Sequence, residues 1–415
     1  MSRALAALFL VTSVPLALAQ ESQSRAQERS IDRLERSRYF LIPPRAVETV
    51  SESRQLLVVL PGGDGSAEFL PFVENGIAHQ VSDDCVVAML TATKWTDDQN
   101  TIWASDHSPV KGMGYTTEAF VNAVVETLSK EFSVQPAAVA VLAWSSSGPT
   151  IYSMLVDSKA PFTKGYVAMS VWPKHLRKGK LDGARGRRLV LDQSPQDTRT
   201  PFHHVRAAHA ALAKARATVR VNVYEGGHGW VDMPLPRLRD SIAWLFDDAA
   251  APPVKWPPPP KVGKNLLANP GFEATGAADG IPGWTTNDNS KRVVVEVVEI
   301  KGPEGKRALH LRKSGAAPLD LVAQDVELPT GKKLEVSLRI KSGVAASAIV
   351  KVWRYDENDE PIGNDVDLIR IPANIDWKQF EKTWPTEGAV RATIQIIVIS
   401  DSEIWVDDAS IVVKK

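Results

Sequence analysis

Between residues 55 and 224 the chain alternates short, unbroken apolar runs with longer segments in which apolar positions recur every three or four residues. The runs "QLLVVL" (55–60), "CVVAML" (85–90), "AVAVLAW" (138–144), "GYVAMSV" (165–171), "RLVLDQ" (188–193) and "TVRVNVY" (218–224) have strand length and little or no polar face. "TTEAFVNAVVETLSKEF" (116–132) and "FHHVRAAHAALAKAR" (202–216) have the helical period. A strand that is apolar on both sides needs cover on both faces, and helices between successive strands supply it. The pattern therefore predicts a parallel, doubly wound α/β sheet over residues 50–248. Ligands on such sheets sit at the carboxyl ends of the strands.

The pattern changes after residue 248. "AAAPPVKWPPPPKVGKN" is too rich in proline to continue a helix or a sheet, which marks 249–264 as a semi-rigid spacer. From 265 to 415 the runs "KRVVVEVVEI", "KLEVSLRIKS", "SAIVKVWRYD", "RATIQIIVI" and "SEIWVDDASIVV" alternate with period two between Gly, Pro, Asp and Asn turns. Many such strands with little helical signal predict an antiparallel β-sandwich. At the other end, "MSRALAALFLVTSVPLALAQ" has a basic residue, an apolar stretch and the small-x-small step Ala17-Leu18-Ala19, the form of a secretory signal peptide (1–19). No cysteine follows it to take a lipid, so the expectation is a secreted or periplasmic protein. Residues 20–49 begin polar and charged and read as a lead-in to the first domain.

Composition narrows the partners. The chain has 415 residues, and its 49 basic side chains balance 49 acidic ones, so no net field favours nucleic acid or an anionic membrane. No later run reaches the roughly 20 apolar residues of a membrane span. Cys85 is the single cysteine, so no intramolecular disulfide can form, and its apolar setting reads as a packed, inert thiol.

The chemistry concentrates at "LAWSSSGPTIY" (142–152), three serines at the end of a predicted strand. A serine nucleophile on a sharp strand-to-helix turn needs small neighbours two residues before and after it. Ser145 has Ala143 and Ser147 there, with Gly148 next; Ser146 would put Trp144 at the crowded position, and Ser147 would put Pro149 there. Ser145 is the candidate, although Ala-Trp-Ser-Ser-Ser-Gly departs from the usual Gly-x-Ser-x-Gly. "GGHGW" (226–230) follows the last strand of the sheet and offers His228 as general base. A carboxylate must orient that histidine; Asp197, in the loop after "RLVLDQ", is preferred to Asp192, which lies in the strand itself. For the developing oxyanion, the N–H of Ser146 and one from the "LPGGDG" loop are wanted, with Gly63 chosen over Gly62. Trp144 and Trp230 flank the nucleophile and the base and are expected to wall the substrate pocket.

With Ser145, Asp197 and His228 in that chain order, and "LPGGDG" in the oxyanion-loop position, residues 50–248 resemble the α/β-hydrolase family, near its compact carboxylesterase and feruloyl-esterase branch. The resemblance implies ester hydrolysis through an acyl-enzyme, with no cofactor for catalysis. The second domain, from "NLLANPGFE" through "WRYDENDEPIG" and "DWKQFEKTW" to the closing "WVDD", resembles jelly-roll carbohydrate-binding modules and galactose-binding-like domains. That resemblance implies a polysaccharide partner and a structural calcium, for which Glu273 and Asp407 or Asp408 are the candidate oxygen ligands; plainly solvated carboxylates are the alternative. The two resemblances together predict a secreted serine esterase acting on acylated carbohydrate. The alternatives are a serine peptidase of the same fold, and a catalytically silent binding protein.

Overall fold

The structure, a computed structural model, describes residues 24–46, 54–156, 159–176, 179–230, 235–274, 281–287, 293–300, 305–314, 320–345, 348–357, 360–362 and 367–415. The expected signal peptide lies outside these residues. The first domain is an eight-stranded sheet in the order β1 (Gln27–Arg29), β2 (Tyr39–Ile42), β4 (Val86–Leu90), β3 (Arg54–Leu60), β5 (Val134–Trp144), β6 (Lys164–Ala168), β7 (Arg188–Gln193), β8 (Thr218–Val223). Pairing is parallel from β4 through β8, while β2 runs antiparallel to β4 and β1 antiparallel to β2. A short turn of helix, α1 (Leu70–Phe72), follows β3. The longer helices α2 (Thr117–Phe132), α3 (Gly148–Met154), α4 (His203–Lys214) and α5 (Leu235–Phe246) cover the sheet. This is the α/β-hydrolase fold that the first half of the sequence resembles.

Residues 24–46 correct the expectation of a separate polar lead-in. They supply β1 and β2, and Tyr39 to Ile42 are all buried. The apolar run "YFLI" lies between the edge strand β1 and β4, pairing with β4 through four residues.

Strand periodicity sorts the core. Leu56, Val58 and Leu60 face one layer with Val121, Val124 and Leu128 of α2 and Val205 and Leu212 of α4. Leu57 and Val59 face the other, with Ile77 and with Leu238, Ile242 and Leu245 of α5. Burying each such side chain contributes roughly 1.5–3 kcal/mol, which is why both faces of these strands are apolar. Thr116 caps α2 by accepting the Ala119 N–H at 3.2 Å, and Ser133 ends it in the left-handed conformation.

The second domain pairs two antiparallel five-stranded sheets. One has the order β10 (Val293–Glu299), β11 (Arg307–Lys313), β18 (Ser402–Lys414), β13 (Lys333–Ser342), β16 (Lys378–Pro385). The other has the order β15 (Asp367–Ile371), β14 (Ala348–Tyr355), β17 (Arg391–Val398), β12 (Asp320–Glu327), β9 (Thr285–Asn287). Along β13, Leu334, Val336, Leu338 and Ile340 are fully buried while the residues between them are not, the alternation of a strand with one face in a sandwich core.

The proline-rich segment is not a free spacer. Trp256 meets Phe202 edge-on at 6.1 Å and His209 at 5.3 Å, and the Arg206 guanidinium lies 5.3 Å from its ring. The β-sandwich also touches the first domain: Arg206 pairs with Glu327 at 3.3 Å, and the Thr285 hydroxyl donates to the Thr198 carbonyl at 3.0 Å.

Candidate active site

Strand β5 ends at Trp144 in extended backbone, and the chain then turns sharply into α3. Ser145 takes φ +55°, a left-handed conformation that costs a residue with a Cβ about 1–2 kcal/mol. Ser147, fully buried, holds the turn: its hydroxyl accepts the Trp144 N–H at 3.1 Å and lies 2.7 Å from the Leu60 carbonyl and 3.0 Å from the Trp144 carbonyl. The glycine expected two residues after the nucleophile is displaced by one. At Gly148 a Cβ would stand 2.2 Å from the Ser170 hydroxyl, so only glycine lets α3 come this close to the loop after β6.

The strained turn aims Ser145 at His228. Oγ of Ser145 lies 2.8 Å from Nε2 of His228, and Nδ1 of His228 lies 2.9 Å and 3.1 Å from the two carboxylate oxygens of Asp197. Asp197 is buried, and besides the histidine it accepts from the Thr200 N–H at 2.8 Å, the Arg199 N–H at 2.9 Å, the Gln193 amide at 2.9 Å and the Thr200 hydroxyl. Burial pushes its carboxyl up, but the bonds from His228 and Thr200 outweigh that and hold it below the usual range. Its charge is thereby available to orient the imidazole. Asp192, the other acid considered, is spent elsewhere. It accepts from Tyr166 at 2.8 Å, Trp230 Nε1 at 3.0 Å and Arg237 at 3.1 Å, deep in the opposite layer.

The "LPGGDG" loop sits against the elbow. The Ser146 hydroxyl donates to the Gly63 carbonyl at 2.8 Å, and Trp103 pins the loop from the other side by donating to the Pro61 carbonyl at 3.0 Å. Gly63 has φ +57°. Gly62 is fixed by contact: a Cβ there would lie 2.5 Å from the Trp144 indole.

That contact also corrects the expectation for the two tryptophans. Trp144 is buried edge-on against Phe69 and Phe72, and Trp230 packs on Phe72 and Trp144 with ring centroids at 5.6 Å and 5.4 Å. Neither lines the cavity that opens at Ser145. Trp144 packs instead into the core layer that holds Phe69, Phe72 and Tyr166. The cavity, about 620 Å³, is walled instead by Trp103, Thr150, Val171, His175, Thr200 and neighbouring polar groups. His175 carried no sequence signal. Its Nε2 lies 3.1 Å from the Ser153 hydroxyl, and its ring stacks on His107 at 4.1 Å. Burial, then His107, holds its pKa below the ordinary value. Cys85 is buried under the sheet, and burial pushes its thiol up, away from reactivity.

In the second domain the three candidate calcium ligands divide. Glu273 accepts the N–H groups of Lys306 and Arg307 at 2.9 Å and 3.1 Å, and Asp408 turns to Arg339 at 3.7 Å. Asp407 is buried; Oδ1 accepts the Asp408 N–H at 2.8 Å and Oδ2 has no hydrogen-bond partner. Burial, with Asp408 and Glu273 nearby, pushes its carboxyl up to about 6. Among the described residues no group of three or more His, Cys, Asp or Glu side chains converges as a metal site. No helix among the described residues is long and apolar enough to cross a membrane.

No protein-family model and no curated protein matches the chain. Solved structures resemble its two halves separately. A Bacillus cereus carboxylesterase is 13% identical, covering 51% of this chain and 94% of its own, with a TM-score of 0.39. An α/β hydrolase from a Medee basin deep-sea metagenome library is 14% identical, over 53% and 96%, with a TM-score of 0.42. A family 61 carbohydrate-binding module, solved with β-1,4-galactotriose, is 19% identical, over 37% and 100%, with a TM-score of 0.29. The strand order defines the class of the chain: a domain of α/β-hydrolase fold with a Ser-His-Asp constellation at its strand ends, followed by a β-sandwich.

Proposed function

We propose that the protein is an exported serine hydrolase that cleaves carboxylic esters of acylated carbohydrate. The observation that carries this is the unbroken hydrogen-bonded series from Ser145 through His228 to Asp197, at 2.8 Å and 2.9 Å, at the carboxyl ends of a parallel sheet. In the proposed reaction Ser145 Oγ attacks the acyl carbon as its proton passes to His228 Nε2. Asp197 holds the Nδ1–H tautomer and stabilises the imidazolium. The N–H groups of Ser146 and Gly63 receive the oxyanion. His228 then returns the proton to the departing alcohol, leaving an acyl-serine ester. A water molecule, deprotonated by the same histidine, releases the acid and restores Ser145. The β-sandwich is assigned to holding polysaccharide near the site, and the N-terminal segment to export.

The test is a fluorophosphonate probe followed by intact mass and peptide mapping. The expected result is one adduct on Ser145, with both labelling and p-nitrophenyl acetate turnover abolished by Ser145→Ala. Absence of any adduct on the folded protein would favour a silent binding protein, and faster cleavage of peptide amides than of esters would favour a peptidase.

A further inference from the structure

The cavity at Ser145 is charged in one sense only. Lys174 and Arg199 line it, and none of its lining residues is Asp or Glu. Asp197, whose carboxylate bonds to the far nitrogen of the imidazole, does not line the cavity. Both Lys174 and Arg199 are exposed, and neither side chain is held by a carboxylate among the described residues. An exposed lysine or arginine is most often just solvated, but two facts separate these from that case. They come from two different loops, one after β6 and one carrying Asp197, and both line the same cavity. Lys174 also begins the most basic stretch of the chain: residues 174–187 hold six Lys and Arg against the single carboxylate of Asp182, in a sequence whose charges balance as a whole. The remaining wall, with Asn100, Thr101, Ser105 and Ser108, offers hydroxyl and amide groups of the kind that hydrogen-bond to sugar.

We propose that the esters taken by this site carry a carboxylate, as an acylated uronic acid does, and that Lys174 and Arg199 hold it while Ser145 reacts with the neighbouring acyl group. The proposal rests on the serine-ester reading above. His175, kept neutral near pH 7, supplies a ring nitrogen to this wall and no charge. A field from two unpaired cations accelerates capture of an anionic substrate and is screened by salt, since the Debye length falls from about 10 Å at 0.1 M to about 3 Å at 1 M.

The experiment compares two matched pairs of substrates on the full chain. p-Nitrophenyl hemisuccinate against p-nitrophenyl butyrate places the charge on the acyl half; 3-O-acetyl methyl glucuronoside against 3-O-acetyl methyl glucoside places it on the alcohol half. The expected result is a kcat/KM ratio of roughly tenfold in favour of the anion in one pair at low ionic strength, falling toward unity near 1 M salt. The pair that shows it identifies which half bears the charge. Replacing both cations, Lys174→Glu with Arg199→Glu, should drive that ratio below one. Ratios within about twofold of unity in both pairs, or a preference that survives the double replacement, would overturn the proposal while leaving the serine-ester reading intact. Failure of fluorophosphonate to label Ser145, with all four esters untouched, would remove that reading and this one with it.

Discussion

Ser147→Ala is the most informative single perturbation of the elbow, because Ser147 contacts no substrate in the proposed reaction and still decides where Ser145 points. Its hydroxyl accepts the Trp144 N–H and lies within donating distance of two carbonyls, Leu60 and Trp144, at a position with no exposed surface. Alanine keeps the small size the turn needs and removes only the oxygen. The loss is one or two hydrogen bonds at about 1 kcal/mol each, plus about 1–3 kcal/mol for the buried N–H and carbonyl left without partners, and water cannot reach them. A destabilisation of about 2–5 kcal/mol follows, a large part of the net stability of a domain. A second effect is local. The left-handed Ser145 stores about 1–2 kcal/mol, which the surrounding bonds must contain, and a relaxed turn swings Oγ away from His228. Turnover of p-nitrophenyl acetate should therefore fall by roughly 10- to 100-fold in protein that is still folded, since 1.4 kcal/mol is a factor of ten. Urea unfolding gives the first number through a shift in midpoint at unchanged slope, and the rate of fluorophosphonate labelling gives the second. A folded Ser147→Ala variant within about 0.5 kcal/mol of the parent, labelled at the parent rate, would refute the reasoning, because such values belong to surface changes.

Three further outcomes are expected. Asp197→Asn should lower turnover by roughly 10⁴-fold through the wrong histidine tautomer, whereas Asp192→Asn should leave turnover within about tenfold and instead cost about 2–3 kcal/mol in unfolding, because it strips Arg237 of its buried partner. Gly62→Ala drives a methyl group to 2.5 Å from the Trp144 indole and should both destabilise the fold, by about 1–3 kcal/mol, and slow acylation by displacing the oxyanion loop; unchanged kinetics would show that the loop yields without consequence. Asp407 has its folded-state value raised to about 6 from an ordinary 3.8, so the folded state binds the extra proton and ionisation opposes folding increasingly as pH rises between those values. Asp407→Asn should consequently melt higher than the parent at about pH 7.5 and match it near pH 3.5, and the opposite order in thermal scans would contradict the assignment.

Much of the fold was legible because its strands are buried on both faces: "QLLVVL" and "AVAVLAW" have strand length and the β-branched content of a sheet interior. The elements that escaped notice are short. Tyr39–Ile42 is a four-residue strand next to polar sequence, and only its pairing with β4 gives it away. The short β9 and β15 likewise have too few residues to show a period. Of the candidate site, small-residue spacing selected Ser145 among three serines, and chain order located His228 and preferred Asp197, because those constraints are local. The geometry then divides the three serines among different tasks: Ser145 faces His228, Ser146 ties the oxyanion loop, and Ser147 staples the turn. Side-chain direction is not local. Trp144 and Trp230 adjoin the nucleophile and base in sequence, yet the packing of Phe69 and Phe72 draws both into the opposite layer, and His175 and Lys174 arrive at the cavity from a loop with no motif of its own. The amino-acid sequence by itself determined that a parallel α/β sheet precedes an antiparallel sandwich and pointed to Ser145, His228 and Asp197, since apolar period and turn sterics are properties of neighbouring residues. Only the tertiary structure decided which aromatic rings are core and which wall the cavity, and which charges face a ligand, because those depend on contacts between segments that burial brings together from distant parts of the chain.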